Sequence, residues 1–363
     1  MSPQPNRHVA AMAAYAPGEQ PQGGGWVKLN TNENPYPPSP LALTAARDAL
    51  GGDGAALRLY PSPDSRVFRE AAAAFHGLPA DHVIAGNGSD DVLNLLIRAY
   101  AGAGRAVGML DPSYSLYPVL ATAQNAPVVR VPIGADLTFD PAAVAGSGAA
   151  VFFLTNPNAP LGVAYARERV AEAAASYPGL LVVDEAYAAF APGDCVDLVR
   201  SHANVAVTRT LSKAHALAGL RVGYALARPE VIALLDRVRD SYNLDRVAQA
   251  AGAAALSDRA WLSATVARII ASRRRLDDGL RSLGWSVIPS AANFVLAAPA
   301  RPGCPASPEV GEQAFDFLRQ RRILVRRFPS HPLTAASLRI TVGTDAEVDA
   351  FLVAASDWTA GRG

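Results

Sequence analysis

Five short apolar runs constrain the fold of this chain more than any other feature. They are VGML (107–110), VVRVPI (128–133), AAVFFLT (149–155), GLLVVDE (179–185) and NVAVTRT (204–210). Each is too short for a buried helix, and its apolar residues do not alternate with polar ones. A strand of that kind must be covered on both faces, which is the condition of a parallel sheet sandwiched between helices. Helix-like segments, such as 164–176, lie between some of these runs. The expected fold is therefore α/β: a large three-layer α/β/α domain with a mostly parallel sheet, joined by a smaller α+β domain.

The flanking segments fill in this outline. Residues 64–76 and 88–101 read as helices. In the second, Ser89 is placed to cap the N-terminus, with Asp90 and Asp91 in the first turn and Val92, Leu95, Leu96 and Tyr100 on one face. The stretch 229–283 reads as mostly helical. Beyond it come WSVIPS, NFVLAA, a helix near 309–321, ILVRRF and SLRITVG. Residues 1–40 are rich in Pro, Gly and Asn and read as an irregular arm. The expected division is 1–45 as arm and part of the small domain, 46–265 as the large domain and 266–363 as the small one.

Composition narrows the function classes. A formal net charge of +1 with scattered basic residues gives no basic stripe for nucleic acid. No apolar run reaches the ~18 residues of a membrane span, and the N-terminus lacks the apolar core of a signal peptide. Cys195 and Cys304 form no disulfide framework, and the histidines have no metal-ligand spacing. These features predict a cytoplasmic protein with small-molecule partners, no nucleic acid, no membrane and no metal.

In open α/β sheets, ligands bind where strands end. GNGSDD (86–91) follows one strand and opens a helix, whose free N–H groups suit a phosphate. Asp91 stands where a dinucleotide fingerprint needs its third glycine, which argues against a nicotinamide enzyme. NPNAPLG (156–162) follows AAVFFLT. Asp184 ends the apolar run GLLVV and needs a cationic or donor partner. RTLSKAHALAGLRVG (209–223) follows the last. The 33 basic residues of the chain include only two lysines, Lys28 and Lys213, and the rest are arginines. A chain that uses arginine for nearly every positive charge keeps Lys213 among Ser212 and Arg221. Guanidinium stays protonated, whereas a desolvated amine can act as a nucleophile. A phosphate cradle, a carboxylate and an amine at neighbouring strand ends describe a pocket for pyridoxal phosphate. His215, beside the lysine, is read as structural.

The motifs VKLNTNENPYPP (27–38), YPSPDS (60–65), GNGSDD, DPSYSLY (111–117), NPNAPLG, VVDEAY, RTLSKAHALAGLRVGY, SYNLDRVAQAA (241–251), ANFVL (292–296) and LRITVGT (338–344) resemble those of fold type I pyridoxal-phosphate-dependent aminotransferases, class II. Within them the chain most resembles the histidinol-phosphate aminotransferase branch, from about residue 15 to 345. The resemblance implies a transaminase of histidine biosynthesis that exchanges an amino group between L-glutamate/2-oxoglutarate and histidinol phosphate/imidazole-acetol phosphate. It implies Lys213 as the Schiff-base lysine, Asp184 on the pyridine nitrogen, Tyr187 on the phenolic oxygen and Tyr114 stacked on the ring. Gly88, Ser89, Asp90, Ser212 and Arg221 hold the phosphate. Tyr60 reaches the neighbouring subunit's cofactor in a homodimer. Arg339 takes the substrate carboxylate or phosphate, and Tyr15, Asn30 and Glu33 fold over the site.

One departure touches the site. The family usually has N-P-N-N-P-T-G, with an Asn bonded to the phenolic oxygen where this chain has Ala159; Leu161 replaces the Thr. Asn158 or Asn156 takes over that bond, or Tyr187 acts alone. Arg326 or Arg327 is a further candidate for the substrate phosphate. Two other activities stay open: transamination of aromatic amino acids, and decarboxylation of a phosphorylated amino acid such as threonine phosphate. A non-enzymatic cofactor-binding module is disfavoured, because residues 1–40 are too short and proline-rich for an added DNA-binding domain.

Overall fold

The computed structural model describes residues 3–362. After β1 (Val27–Lys28), the main sheet takes β2 (Val83–Asn87), β3 (Val107–Asp111), β4 (Val128–Pro132), β5 (Val151–Thr155), β6 (Leu180–Asp184), β7 (Val205–Thr210) and β8 (Val222–Ala227) in the order β2-β8-β7-β6-β5-β3-β4. β3 to β7 are parallel where they pair. β8 runs antiparallel to both of its neighbours, β2 and β7. All residues of β5 and β6 are buried, as strands covered by helices on both faces require. One apolar cluster containing Phe152 and Val183 and another containing Phe153 and Val182 line opposite faces. The alternating side chains of adjacent residues make those two layers.

β8 is not among the runs read as strands from the sequence. Its direction matters to the site. β2, β3, β5, β6 and β7 present their carboxyl ends along one edge, while β8 presents its start there. Arg221 immediately precedes β8 and so reaches the same edge.

A second sheet combines β9 (Ser286–Ile288), β10 (Phe294–Ala298), β12 (Arg326–Arg327) and β13 (Leu338–Thr341) in the order β12-β13-β10-β9, all antiparallel. β11 (Ile323–Leu324) pairs in parallel with β1 instead. The run ILVRRF is thus divided between two sheets. β1 brings the N-terminal arm against the C-terminal part, and Leu29 joins a cluster with Phe294, Val325, Ile340 and Phe351. The helix Arg259–Ser282 runs unbroken through residue 265, and its Ile269, Leu276 and Leu280 enter that cluster.

Helix starts differ in detail from expectation. Ser89 does not cap its helix. Gly88 occupies the cap position with φ +84, and no side chain caps the helix there. Ser89 is the first helical residue, which leaves its hydroxyl facing a cavity. The arm is also less irregular than its composition suggests. Ser39 caps a helix from Pro40 to Leu50, with proline at the first position where its missing N–H costs nothing.

Candidate active site

A cavity of about 300 Å³ opens at the carboxyl edge of the main sheet and reaches the second sheet and the arm. That volume lies within the range of small-molecule sites. Lys213 follows β7, and its half-buried Nζ donates to the Thr31 carbonyl at 3.1 Å. Burial, with Arg339 nearby, lowers its pKa to about 8. The amine is therefore neutral in a useful fraction near neutral pH.

Asp184 ends β6 and is buried. Tyr117 donates to its Oδ2 at 2.6 Å, and Thr208 donates to its Oδ1 at 3.1 Å. Burial pushes its pKa up, and these two bonds pull it down in part. Among the described residues no cation pairs with it. A buried carboxyl with only neutral partners favours a ligand that brings a positive charge or an N–H to it.

The helix Ser89–Tyr100 and the segment 210–221 form a cradle. Arg221 Nη1 donates to Ser212 Oγ at 3.3 Å, and its Nη2 lies 3.3 Å from Asp90 Oδ2. Thr210 donates to Ser212 at 2.9 Å. Two glycines permit this closeness. A Cβ on Gly88 would lie 2.5 Å from Arg221 Nη2, and one on Gly223 would lie 2.2 Å from the Ser89 nitrogen. The helix N-terminus, two hydroxyls and one guanidinium converge on a space suited to phosphate.

Tyr114 and Tyr15 meet edge-on, with ring centroids 6.1 Å apart, and both line the cavity. Asn30 and Glu33 also line it, with Asn30 Nδ2 bonded to the Glu19 carbonyl and Glu33 paired with Lys28. Arg326 and Arg339 face each other across β12 and β13, and both reach the cavity. Arg339 stacks over Phe294 and Phe328, donates to the Asn30 carbonyl at 3.0 Å, and has an unpartnered Nε. A guanidinium left without a carboxylate in such a wall suits an anion. Arg327 turns away and pairs with Glu312 at 3.3 Å.

Two of the expected site residues, Asn158 and Tyr60, lie outside the cavity. Asn158 does not line the cavity. Its amide donates to the Pro112 carbonyl at 3.1 Å and accepts from the Leu161 N–H at 3.2 Å, so it ties its loop to the one after β3. Asn156 is bound to Tyr165 through both its amide nitrogen and its oxygen, and it too is absent from the cavity lining. Ala159 itself lines the wall and brings no donor. Tyr60 also lies off the cavity; it is 78% exposed and stacks on Tyr242 with centroids 4.4 Å apart. His215 is buried, with Nδ1 unpartnered and its pKa pushed down to about 4 by burial, then by Arg209.

Sequence reasoning missed Asn32, which donates to the Tyr187 hydroxyl at 2.9 Å, and Tyr117 behind Asp184. Tyr117 lies in the helix Leu116–Ala123 and meets Tyr114, which precedes that helix, edge-on with ring centroids 5.5 Å apart.

A family model for aminotransferase class I and II matches residues 24–354. The chain belongs to the class I and II aminotransferases. Among relatives in this family, a histidinol-phosphate aminotransferase from Geobacter sulfurreducens is 49% identical over 96% of this chain and 97% of its own length. One from Synechocystis is 43% identical over 94% of each chain. A solved histidinol-phosphate aminotransferase from Sinorhizobium meliloti, in complex with pyridoxal 5′-phosphate, superposes with a TM-score of 0.84 at 29% identity, covering 93% of this chain and 91% of that one. The fold of this aminotransferase is therefore that of fold type I, with its mostly parallel central sheet.

Proposed function

We propose that this chain is a pyridoxal-phosphate-dependent transaminase that exchanges an amino group between histidinol phosphate and 2-oxoglutarate. The observation that carries the cofactor assignment is one cavity wall. It holds a lysine amine with a lowered pKa, a buried carboxyl without a cation, and a glycine-permitted phosphate cradle. The substrate assignment is supported by the names of the full-length relatives and by the Arg326–Arg339 pair.

The bound cofactor supplies a ring that delocalises charge from the substrate α-carbon. Lys213 would bind its aldehyde carbon and carry the proton between the substrate Cα and cofactor C4′. Asp184 would accept the ring N–H, oriented by Tyr117 and Thr208. Tyr187 would donate to the phenolic oxygen, and Tyr114 would cover the ring. Ser89, Ser212, Arg221 and the N–H groups of Gly88–Asp90 would hold the phosphate. Arg339 and Arg326 would take the substrate phosphate or the glutamate carboxylate. Tyr15, Asn30 and Glu33 would close the site.

The proposal extends to a cytoplasmic homodimer in which Tyr60 reaches the neighbouring subunit's cofactor phosphate. Support comes from Tyr60 itself and from exposed Leu41, Leu57, Leu59 and Val67 on the same N-terminal stretch. Side chains of that size left in water favour a covering surface. No described helix is long and apolar enough to cross a membrane.

The assignment is tested by adding L-glutamate, L-histidinol phosphate, L-phenylalanine and L-threonine phosphate separately to the loaded protein and following the visible band. Glutamate and histidinol phosphate are expected to bleach it at low concentration. A response to phenylalanine without one to histidinol phosphate would move the substrate to aromatic amino acids. Carbon dioxide released from threonine phosphate would replace transamination with decarboxylation.

Cofactor capture carries its own pH signature. Only the neutral Lys213 amine attacks an aldehyde. With its pKa near 8, the capture rate of the cofactor-free protein should rise about tenfold per pH unit below that value and level off above it. Stopped-flow mixing between pH 6 and 9 checks this. A rate that keeps climbing towards an ordinary lysine pKa would contradict the lowered value.

A further inference from the structure

Tyr187 faces the cavity with a single hydrogen-bond partner among the described residues. Its hydroxyl accepts from Asn32 Nδ2 at 2.9 Å and donates to nothing. The direction of that bond follows from proton counting. Thr341 Oγ1 accepts the Asn32 backbone N–H at 2.9 Å. Its own single proton is then available for Asn32 Oδ1, which lies 3.1 Å away. With Oδ1 facing Thr341, the amide NH2 faces Tyr187.

The backbone of Asn32 is held just as firmly. Asn293 Nδ2 donates to the Asn32 carbonyl at 2.9 Å, and Asn32 is 1% exposed. Its φ of +56 lies in the left-handed region, which Asn adopts more readily than most residues. The amide is therefore fixed in place before any ligand arrives. The flanking carbonyls are tied to the site as well: Asn30 to Arg339 and Thr31 to Lys213.

Among the described residues the loop after β5 offers the cavity no side-chain donor, only Ala159 and Pro160. Ala159 has no polar side chain, and the amides of Asn156 and Asn158 donate to the Tyr165 and Pro112 carbonyls, away from the cavity. A hydroxyl that accepts a hydrogen bond becomes a stronger donor through the proton it retains. Tyr187 has one proton and an acceptor lone pair already filled, so that proton is free for a group in the cavity.

We propose that Asn32 is a positioning residue that acts through Tyr187. By donating to the Tyr187 oxygen, it directs and strengthens the one hydroxyl left to serve the cofactor's phenolic oxygen, in place of the side chain absent at Ala159. This rests on the assignment of Tyr187 given above.

The test uses the cofactor-loaded protein and two readouts: the pH midpoint of its visible absorbance and the cofactor dissociation constant. Asn32→Gly removes the amide, and Asn32→Asp reverses its polarity so that it competes for the Tyr187 proton. Both tolerate the left-handed backbone. A weaker donor destabilises the anionic phenolic oxygen, so the midpoint should rise by roughly 0.5–1 pH unit in each variant, with weaker cofactor binding. Ala159→Asn added to Asn32→Gly should bring the midpoint back down.

Tyr187→Phe separates the two levels of the argument. It should raise the midpoint at least as much, and Asn32→Gly added to it should change nothing further. A shift with Tyr187→Phe but none with either Asn32 variant overturns the role of Asn32 and leaves that of Tyr187. An equal Asn32→Gly shift with and without Tyr187→Phe also overturns it, because Asn32 would then act by another route. No shift with Tyr187→Phe removes the assignment of Tyr187 itself.

Discussion

Lys213→Ala is expected to lower the transamination rate by about 10⁴-fold or more, because one amine both binds the cofactor aldehyde and moves the substrate proton. Lys213→Arg should be as inactive, although it keeps the positive charge. A guanidinium does not lose its proton in a protein and cannot take part in either step. The comparison is sharp in this chain, where arginine serves almost every other positive site. Single-turnover kinetics with glutamate measure it, alongside the absorbance of the loaded protein. Turnover within tenfold of the parent in either variant would remove Lys213 from the reaction.

Asp184→Asn should lower the rate by about 10²–10³-fold, the range seen when one preorganised electrostatic partner is removed. The substitution conserves volume, and its Oδ1 can still accept from Tyr117 or Thr208. It loses the negative charge that a protonated ring nitrogen requires, and one of its two acceptor oxygens. The charge itself is costly to keep buried: burial raises the basicity of Asp184, and only neutral donors, Tyr117, Thr208 and a backbone N–H, offset it in part. The variant is therefore expected to hold or gain stability as cofactor-free protein while it loses activity and cofactor affinity. Thermal unfolding with and without cofactor, set beside the rate, separates those effects. A rate within twofold of the parent would mean that Asp184 does not serve the ring.

The main architecture was legible because its signals are local. A run such as AAVFFLT can be stable only between two apolar layers, whatever the rest of the chain does. Asp184, Ser212 and Lys213 were legible for the same reason, since each stands next to such a run and carries chemistry unlike its surroundings. Ser89 was found for its hydroxyl but misassigned as a cap. Cap geometry depends on the backbone of Gly88, which sequence spacing does not specify. β8 was missed because its short run VGYALA carries a glycine and two alanines and so gives a weak strand signal, although its residues are all buried.

Contacts between distant segments were not legible. Asn32 meets Tyr187 across 155 positions and Thr341 across 309. Tyr117 reaches Asp184 across 67. No pattern within a window of residues encodes these meetings. Arg326 and Arg327 look equivalent in sequence. Alternation along a strand sends the first into the cavity and the second to Glu312, and only the pairing of β12 with β13 shows which face is which.

The sequence by itself determined the α/β class, the strand ends that carry the chemistry and the need for a lysine amine, because these follow from short-range hydrophobic pattern and side-chain chemistry. The tertiary structure alone decided how Asn158 is spent, how Asn32 backs Tyr187, and how β8 delivers Arg221 to the cradle. Those depend on chain direction and on packing between segments far apart in sequence, where a hydrogen bond exists only once the folded backbone has brought donor and acceptor within about 3 Å.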